Sequence, residues 1–236
     1  MSQRFVAMCL PPIEAALRAL ADAQQAVPMK AYMLGQFEFL GIRAGPRREA
    51  LKQALQTLPK FTGTADELLA LADALWQLPE REFRYAAIDL LAKHHKRLDV
   101  GDLPRILQLV QTDPWWDTVD GLAGIVGDIM LRAKASQPDV QRHMDACLAH
   151  PHLWVRRVAM LHQLGWRAQT DQERLFRYAL TLAPETDFFI RKAMGWALRD
   201  HARTEPDAVR GFLAQHAEQL SGLTRREAGK HLDLFK

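Results

Sequence analysis

Cysteine is scarce in this chain of 236 residues, with Cys9 and Cys147 separated by more than half its length. That spacing excludes a disulfide framework and a cysteine metal cluster. Long apolar runs are also missing. The run from Phe5 to Leu10 is broken by Pro11-Pro12 and lacks a small-residue cleavage site, so no secretory signal is expected. The later run from Leu122 to Leu131 contains Asp128, and nothing reaches the roughly 18–20 apolar residues of a membrane span. Only 13 Gly and 12 Pro are present, and 48% of residues are apolar against 25% charged, which excludes disordered, collagen-like or low-complexity chains. These absences leave an ordinary globular protein, expected in the cytoplasm.

Net charge is +3, a weak pointer to a polyanionic partner. Residues 150–236 carry 14 Lys and Arg against 10 Asp and Glu, so the excess lies toward the C-terminal part. Basic clusters stand at Arg43-Arg47-Arg48, Lys93-His94-His95-Lys96-Arg97, Arg156-Arg157, Arg191-Lys192 and Arg225-Arg226-Lys230. Any one of them reads as a solvated helix face. Nine histidines raise the question of a metal, but adjacent His94 and His95 point to different helix faces, and no metal site is expected.

Strand patterns are nearly absent, whereas apolar residues at helical spacing recur throughout, so the chain is predicted to be all-α. The spacing predicts helices over Pro11–Ala26, Met29–Leu40, Arg47–Leu58, Ala65–Leu78 with Thr64 as N-cap, Pro79–Arg97, Leu103–Gln111 and Pro114–Ala133. Further helices are predicted over Pro138–Ala149, Pro151–Leu164, Asp171–Ala183, Asp187–Thr204, Pro206–Gln219 and Thr224–Leu232. The connections are short, which favours one continuous domain over residues 1–236. The tetrads Phe83–Ala86, Trp116–Val119, Val155–Val158 and Ile190–Ala193 align with spacings of 33, 39 and 35 residues. Such a period predicts a HEAT-like helical-repeat solenoid of about six helical pairs, in which equivalent helices of successive units line one concave surface.

The densest chemical feature is Asp113-Pro114-Trp115-Trp116-Asp117-Thr118-Val119-Asp120. Trp116 and Asp120 share a helix face. Aligned units place Ala87, Ala159 and Met194 where Asp120 stands, so a carboxylate replaces apolar side chains. The plain alternative is that Asp120 pairs with a neighbouring arginine or caps a helix while Trp116 packs. Lys192, Trp196 and Arg199 form a second stripe on one face. Such a stripe suits a phosphate backbone and a sugar or base, or else a core tryptophan with two charges snorkelling outward.

Six segments, YMLGQFEFLGI from Tyr32, WQLPEREF from Trp76, WWDTVD from Trp115, WVRR from Trp154, FFIRKAMGWALR from Phe188 and LTRREAGKH from Leu223, together resemble the AlkD-type DNA alkylation-repair glycosylases. They occur in the family's order along nearly the whole chain. The resemblance implies excision of N3- or N7-alkylated purines, such as 3-methyladenine and 7-methylguanine, from double-stranded DNA held on the concave face. It implies Asp120 as the catalytic carboxylate, with Trp116 and Trp196 as aromatic residues facing the lesion's backbone. Tyr32 matches an aromatic position beside the site. Arg157 and Arg199 match basic positions associated with DNA binding, and Lys192, Arg203, Arg225, Arg226 and Lys230 join them as candidates. No cofactor is implied, and a monomer is expected. One departure is Gly165, which stands where some relatives carry a basic residue, with Arg167 nearby. The competing classes are a non-catalytic HEAT-like DNA-binding module and a protein-binding scaffold. The latter has no need of a carboxylate and two tryptophans at these places.

Overall fold

The computed structural model describes residues 2–58 and 63–232. Among them are thirteen α-helices, joined by turns and short 3-10 segments, and no strand; one isolated bridge pairs Glu38 with Glu80. The all-α, helical-repeat prediction holds. The chain forms two compact units, Met1–Leu98 and Asp99–Lys236.

The first unit contains α1 (Ser2–Arg18), α2 (Ala23–Tyr32), α3 (Ala44–Gln56), α4 (Ala65–Trp76) and α5 (Arg81–Lys93). Phe5, Cys9, Ile13 and Leu17 recur every fourth residue and form the buried stripe of α1, which packs on α3 and α4. Helix α1 therefore starts nine residues before the predicted Pro11 and carries Pro11 and Pro12 inside it. The carbonyls these prolines leave without a donor belong to Ala7 and Met8, which are exposed, so water can replace the lost bonds. Thr64 caps α4 as predicted, in a capping box with Glu67.

The predicted helix over Met29–Leu40 is corrected more strongly. Asp22 accepts from the amides of Gln24 and Gln25, so α2 begins earlier, passes through Pro28 and ends at Tyr32. Leu40, Gly41 and Ile42 instead donate their amides to the buried carboxylate of Glu82 at 2.9, 2.8 and 3.0 Å. Three amides satisfied by one distant side chain hold this segment out of a helix.

The second unit holds α6 (Leu103–Gln111), α7 (Trp116–Lys134), α8 (Arg142–Leu148), α9 (Leu153–Leu161), α10 (Gln172–Leu182), α11 (Phe188–His201), α12 (Pro206–Gln215) and α13 (Gly222–Ala228). Helices α6/α7, α8/α9 and α10/α11 pair, α12 packs on α11, and the second helices pack in succession, α7 on α9, α9 on α11, and α11 on α13. This is the arrangement the tetrad recurrence predicts, because the tetrads of α7, α9 and α11 stand at equivalent places in successive pairs. Each pair buries one face on its neighbour. Asp171 and Asp187 cap α10 and α11 with their side chains.

Cys9 and Cys147 are free, buried thiols, and burial pushes each up to about 11. Among the described residues no helix is long and apolar enough to cross a membrane.

Candidate active site and nucleic-acid interface

Helix α7 begins without a side-chain cap. Asp113 sits at φ 44°, and extended Trp115 occupies the capping position. The effect is to start the helix at Trp116 and to place Asp120 one turn further, facing α9. There Arg157 meets it as a fork, Nε donating to Oδ1 at 2.7 Å and a terminal nitrogen donating to Oδ2 at 2.8 Å. The third nitrogen of Arg157 donates to the carbonyl of Phe189 on α11. Bidentate pairing of this kind fixes both position and orientation of the carboxylate.

The Arg157 side chain is 1% exposed, whereas that of Asp120 is 23% exposed. The carboxylate therefore reaches the surface and its partner does not. Burial raises the Asp120 carboxyl above its ordinary value, with the hydrogen bonds and charge of Arg157 pulling against that rise. The Arg157 guanidinium also lies 5.4 Å from the centroid of the Trp196 ring. Asp120, Arg157 and Trp196, drawn from three successive repeats, are thus joined. Trp116 is half-buried one turn before Asp120 on the same helix.

The expectation for Arg157 changes accordingly. All its nitrogens point inward to Asp120 and Phe189, so it is not displayed to a phosphate backbone. The plain alternative for Asp120, a pair with a neighbouring arginine, is also realised, and it coexists with partial exposure of the Asp120 side chain.

Behind this site lies an aromatic cluster that spacing did not single out. Trp115, Trp154 and Phe189 meet with ring centroids 4.9–5.9 Å apart. They come from the N-terminal ends of α7, α9 and α11, so the repeat alignment was the signal that could have found them.

The stripe of Lys192, Trp196 and Arg199 is present on one face of α11. Lys192 lies 5.8 Å from the centroid of the Trp196 ring. A residue not predicted, Glu227 on α13, ties it together by accepting from Lys192 and Arg199 and pairing with Lys230. Burial disfavours the Glu227 charge, but hydrogen bonds from Lys192 and Lys230 outweigh it and hold the carboxyl down to about 2. Gly195 makes this approach possible, since a Cβ there would fall 2.4 Å from the Cβ of Glu227.

The remaining candidates are dispersed. Arg203 and Arg226 are exposed, and Arg225 is half-buried on α13. Tyr32 ends α2 in the first unit and is 70% exposed. Gly165 has φ 80° and donates its amide to Asp200, a left-handed backbone that suits glycine better than a long basic residue. Among the described residues no group of three or more His, Cys, Asp or Glu could hold a metal ion.

The pattern of the family described as "DNA alkylation repair enzyme" matches residues 13–232. A solved structure described as a predicted DNA alkylation repair enzyme from Enterococcus faecalis is 30% identical, with a TM-score of 0.80 over 91% of this chain and 97% of that one. AlkD2 from Streptococcus mutans, 22% identical, superposes with a TM-score of 0.59 over 79% of this chain and 90% of its own. The smu.31 protein of Streptococcus mutans UA159, 21% identical, gives 0.60 over 79% and 92%. These last two share the fold. No curated protein matches the chain significantly. With the match running through both compact units and across α7, α9, α11 and α13, the chain belongs to the DNA alkylation repair enzyme family.

Proposed function

We propose that this protein is a monofunctional DNA glycosylase that hydrolyses the N-glycosidic bond of N3- or N7-alkylated purines in duplex DNA and leaves an abasic site. The observation that carries this reading is the partly exposed Asp120 carboxylate, held in a bidentate fork by buried Arg157 beside the Trp196 ring. Alkylation at N3 or N7 already makes the purine cationic, so it departs as a neutral base and no general acid is required. The sugar then gains positive charge in an oxocarbenium-like transition state. A fixed carboxylate stabilises that charge and orients the attacking water, while the faces of Trp116 and Trp196 offer cation–π contact. Water adds to the sugar carbon, its proton leaves, and the strand stays intact.

Arg157 serves here as a positioning residue that points Asp120 outward. Lys192, Arg199, Arg203, Arg225, Arg226 and Lys230, with Tyr32, supply the contacts to DNA. A family match that runs through both compact units supports reading residues 1–236 as one domain. In this proposal it works as a monomer on DNA in the cytoplasm. The test is incubation of the purified protein with methylated duplex DNA and mass spectrometry of released bases. Release of 3-methyladenine or 7-methylguanine is expected. Intact DNA with neither base released overturns the reading.

A further inference from the structure

Three cations meet one carboxylate where α11 packs on α13. Lys192 donates to Oε1 of Glu227 at 2.7 Å, while Arg199 and Lys230 approach Oε2 at 2.9 and 3.0 Å. The Glu227 side chain is only 8% exposed, against 24%, 22% and 51% for Lys192, Arg199 and Lys230. The carboxylate therefore forms the floor and the cations form the surface. An ammonium has three N–H groups and a guanidinium five, so each cation keeps donors for an external acceptor. One negative charge against three positive ones leaves the spot electropositive. Without that central charge, three neighbouring cations repel one another and spread apart.

The backbone is arranged to keep the floor in place. Gly195 lets α13 come closer than any side chain would permit. Thr224 on α13 donates its hydroxyl to the Arg191 carbonyl at 3.1 Å, which sets the register of the two helices. Burying a carboxylate costs free energy unless it is fully paired. A simple helix tie needs one cation, and three converge.

We propose that Glu227 is the positioning residue of a single phosphodiester site, gathering Lys192, Arg199 and Lys230 so that their outward N–H groups converge on one phosphate of the DNA backbone beside Trp196. This rests on the DNA-repair reading above. It assigns to one contact three cations that the sequence presents as separate candidates, and it gives that contact a place next to the proposed chemistry. The phosphate held there fixes the register of the strand against Asp120 and Trp196. Glu227 itself touches no DNA.

The test is a salt titration of binding to undamaged duplex for wild type, Glu227→Gln and Glu227→Asp, with a thermal melt of each. Glu227→Gln is expected to bind about 10-fold more weakly at a fixed moderate salt, with a log–log slope smaller by roughly 0.9, the value of one phosphate. Glu227→Asp restores the charge and is expected to regain most of the slope. A role confined to tying α11 to α13 would lower the melting temperature of Glu227→Gln and leave the slope of the folded protein unchanged, which overturns the proposal. Tighter binding by Glu227→Gln, the sign of a carboxylate that merely competes with DNA, overturns it as well. Should Glu227→Gln not fold, Lys192→Gln combined with Lys230→Gln decides. On one shared phosphate the pair loses at most about one unit of slope, whereas a loss near two units means separate phosphates and overturns the proposal. A wild type that shows no salt-dependent affinity for duplex overturns the DNA reading itself, and is thereby distinguished from failure of the Glu227 assignment alone.

Discussion

Asp120 stands where the equivalent positions of the aligned tetrads carry Ala87, Ala159 and Met194, all buried. A carboxylate in that place needs a partner, and Arg157 supplies it. Asp120→Asn keeps the shape and removes the charge, so it is expected to slow single-turnover excision by about 10²–10³, a loss of roughly 3–4 kcal/mol, while duplex affinity changes little. It also leaves buried Arg157 without a counter-ion, so its melting temperature should fall as well. A melting shift with a normal excision rate in the folded fraction would remove the catalytic assignment. Because the Asp120 carboxyl is raised, the acidic limb of the excision profile should lie above the ordinary aspartate value of about 3.9, with activity falling as pH drops through it. Arg157 and Arg199 are expected to separate. Arg157→Gln slows excision with an unchanged salt slope, whereas Arg199→Gln lowers the slope; equal slope losses in both would put Arg157 on the DNA. Spacing and resemblance were enough to single out Asp120. They could not show that Arg157 faces inward, because burial of a cation depends on the repeat packed over it.

At the scale of elements, the capped helices were the most legible. Thr64, Asp171 and Asp187 announce α4, α10 and α11 because their side chains satisfy the first amides locally. The prolines misled. Pro11 and Pro28 are inside helices because the lost hydrogen bonds face solvent or are outweighed by packing along the rest of the helix, as the buried stripe of α1 shows. The non-helical end of segment 33–42 left no local sign because the amides of Leu40, Gly41 and Ile42 are claimed by Glu82, some 40 residues away in sequence. Contacts at that range leave no local periodicity. The same holds for Glu227, whose partners on α11 lie 28 and 35 residues earlier. Close packing there gives a sharp expectation. Gly195→Ala would place a Cβ 2.4 Å from the Cβ of Glu227 and 3.0 Å from the Thr224 carbonyl, displacing α13. A cost of about 1–3 kcal/mol is expected in thermal or urea unfolding. A variant as stable as wild type would show that the two helices are not held together so tightly.

For the molecule as a whole, stability should depend on pH through a buried histidine. His162 is 1% exposed, donates from Nδ1 to the Ala159 carbonyl at 2.7 Å, and is held down to about 4 because burial disfavours its charged form. The unfolded chain takes up this proton near the ordinary value of about 6.5, and the folded protein does not until near 4. This contribution is therefore complete above pH 6.5 and is lost as pH falls toward 4, the loss reaching about 2 kcal/mol by pH 5. Melting curves at pH 7.5 and pH 5 should diverge less for His162→Gln than for wild type; equal divergence would place the effect elsewhere. A different consequence follows from the two buried thiols. An alkylation-repair enzyme works while its cell contains electrophiles, and the thiolate is the protein nucleophile they consume most readily. With Cys9 and Cys147 pushed up to about 11, only ~10⁻⁴ of either is ionised near neutral pH, against a few per cent for an ordinary cysteine. The protein is thereby shielded from the reagents whose damage its family repairs. Methyl methanesulfonate or iodoacetamide should label both cysteines of the urea-unfolded chain and neither of the native one, and rapid labelling of the native protein, read by mass spectrometry, would show that this self-protection is absent.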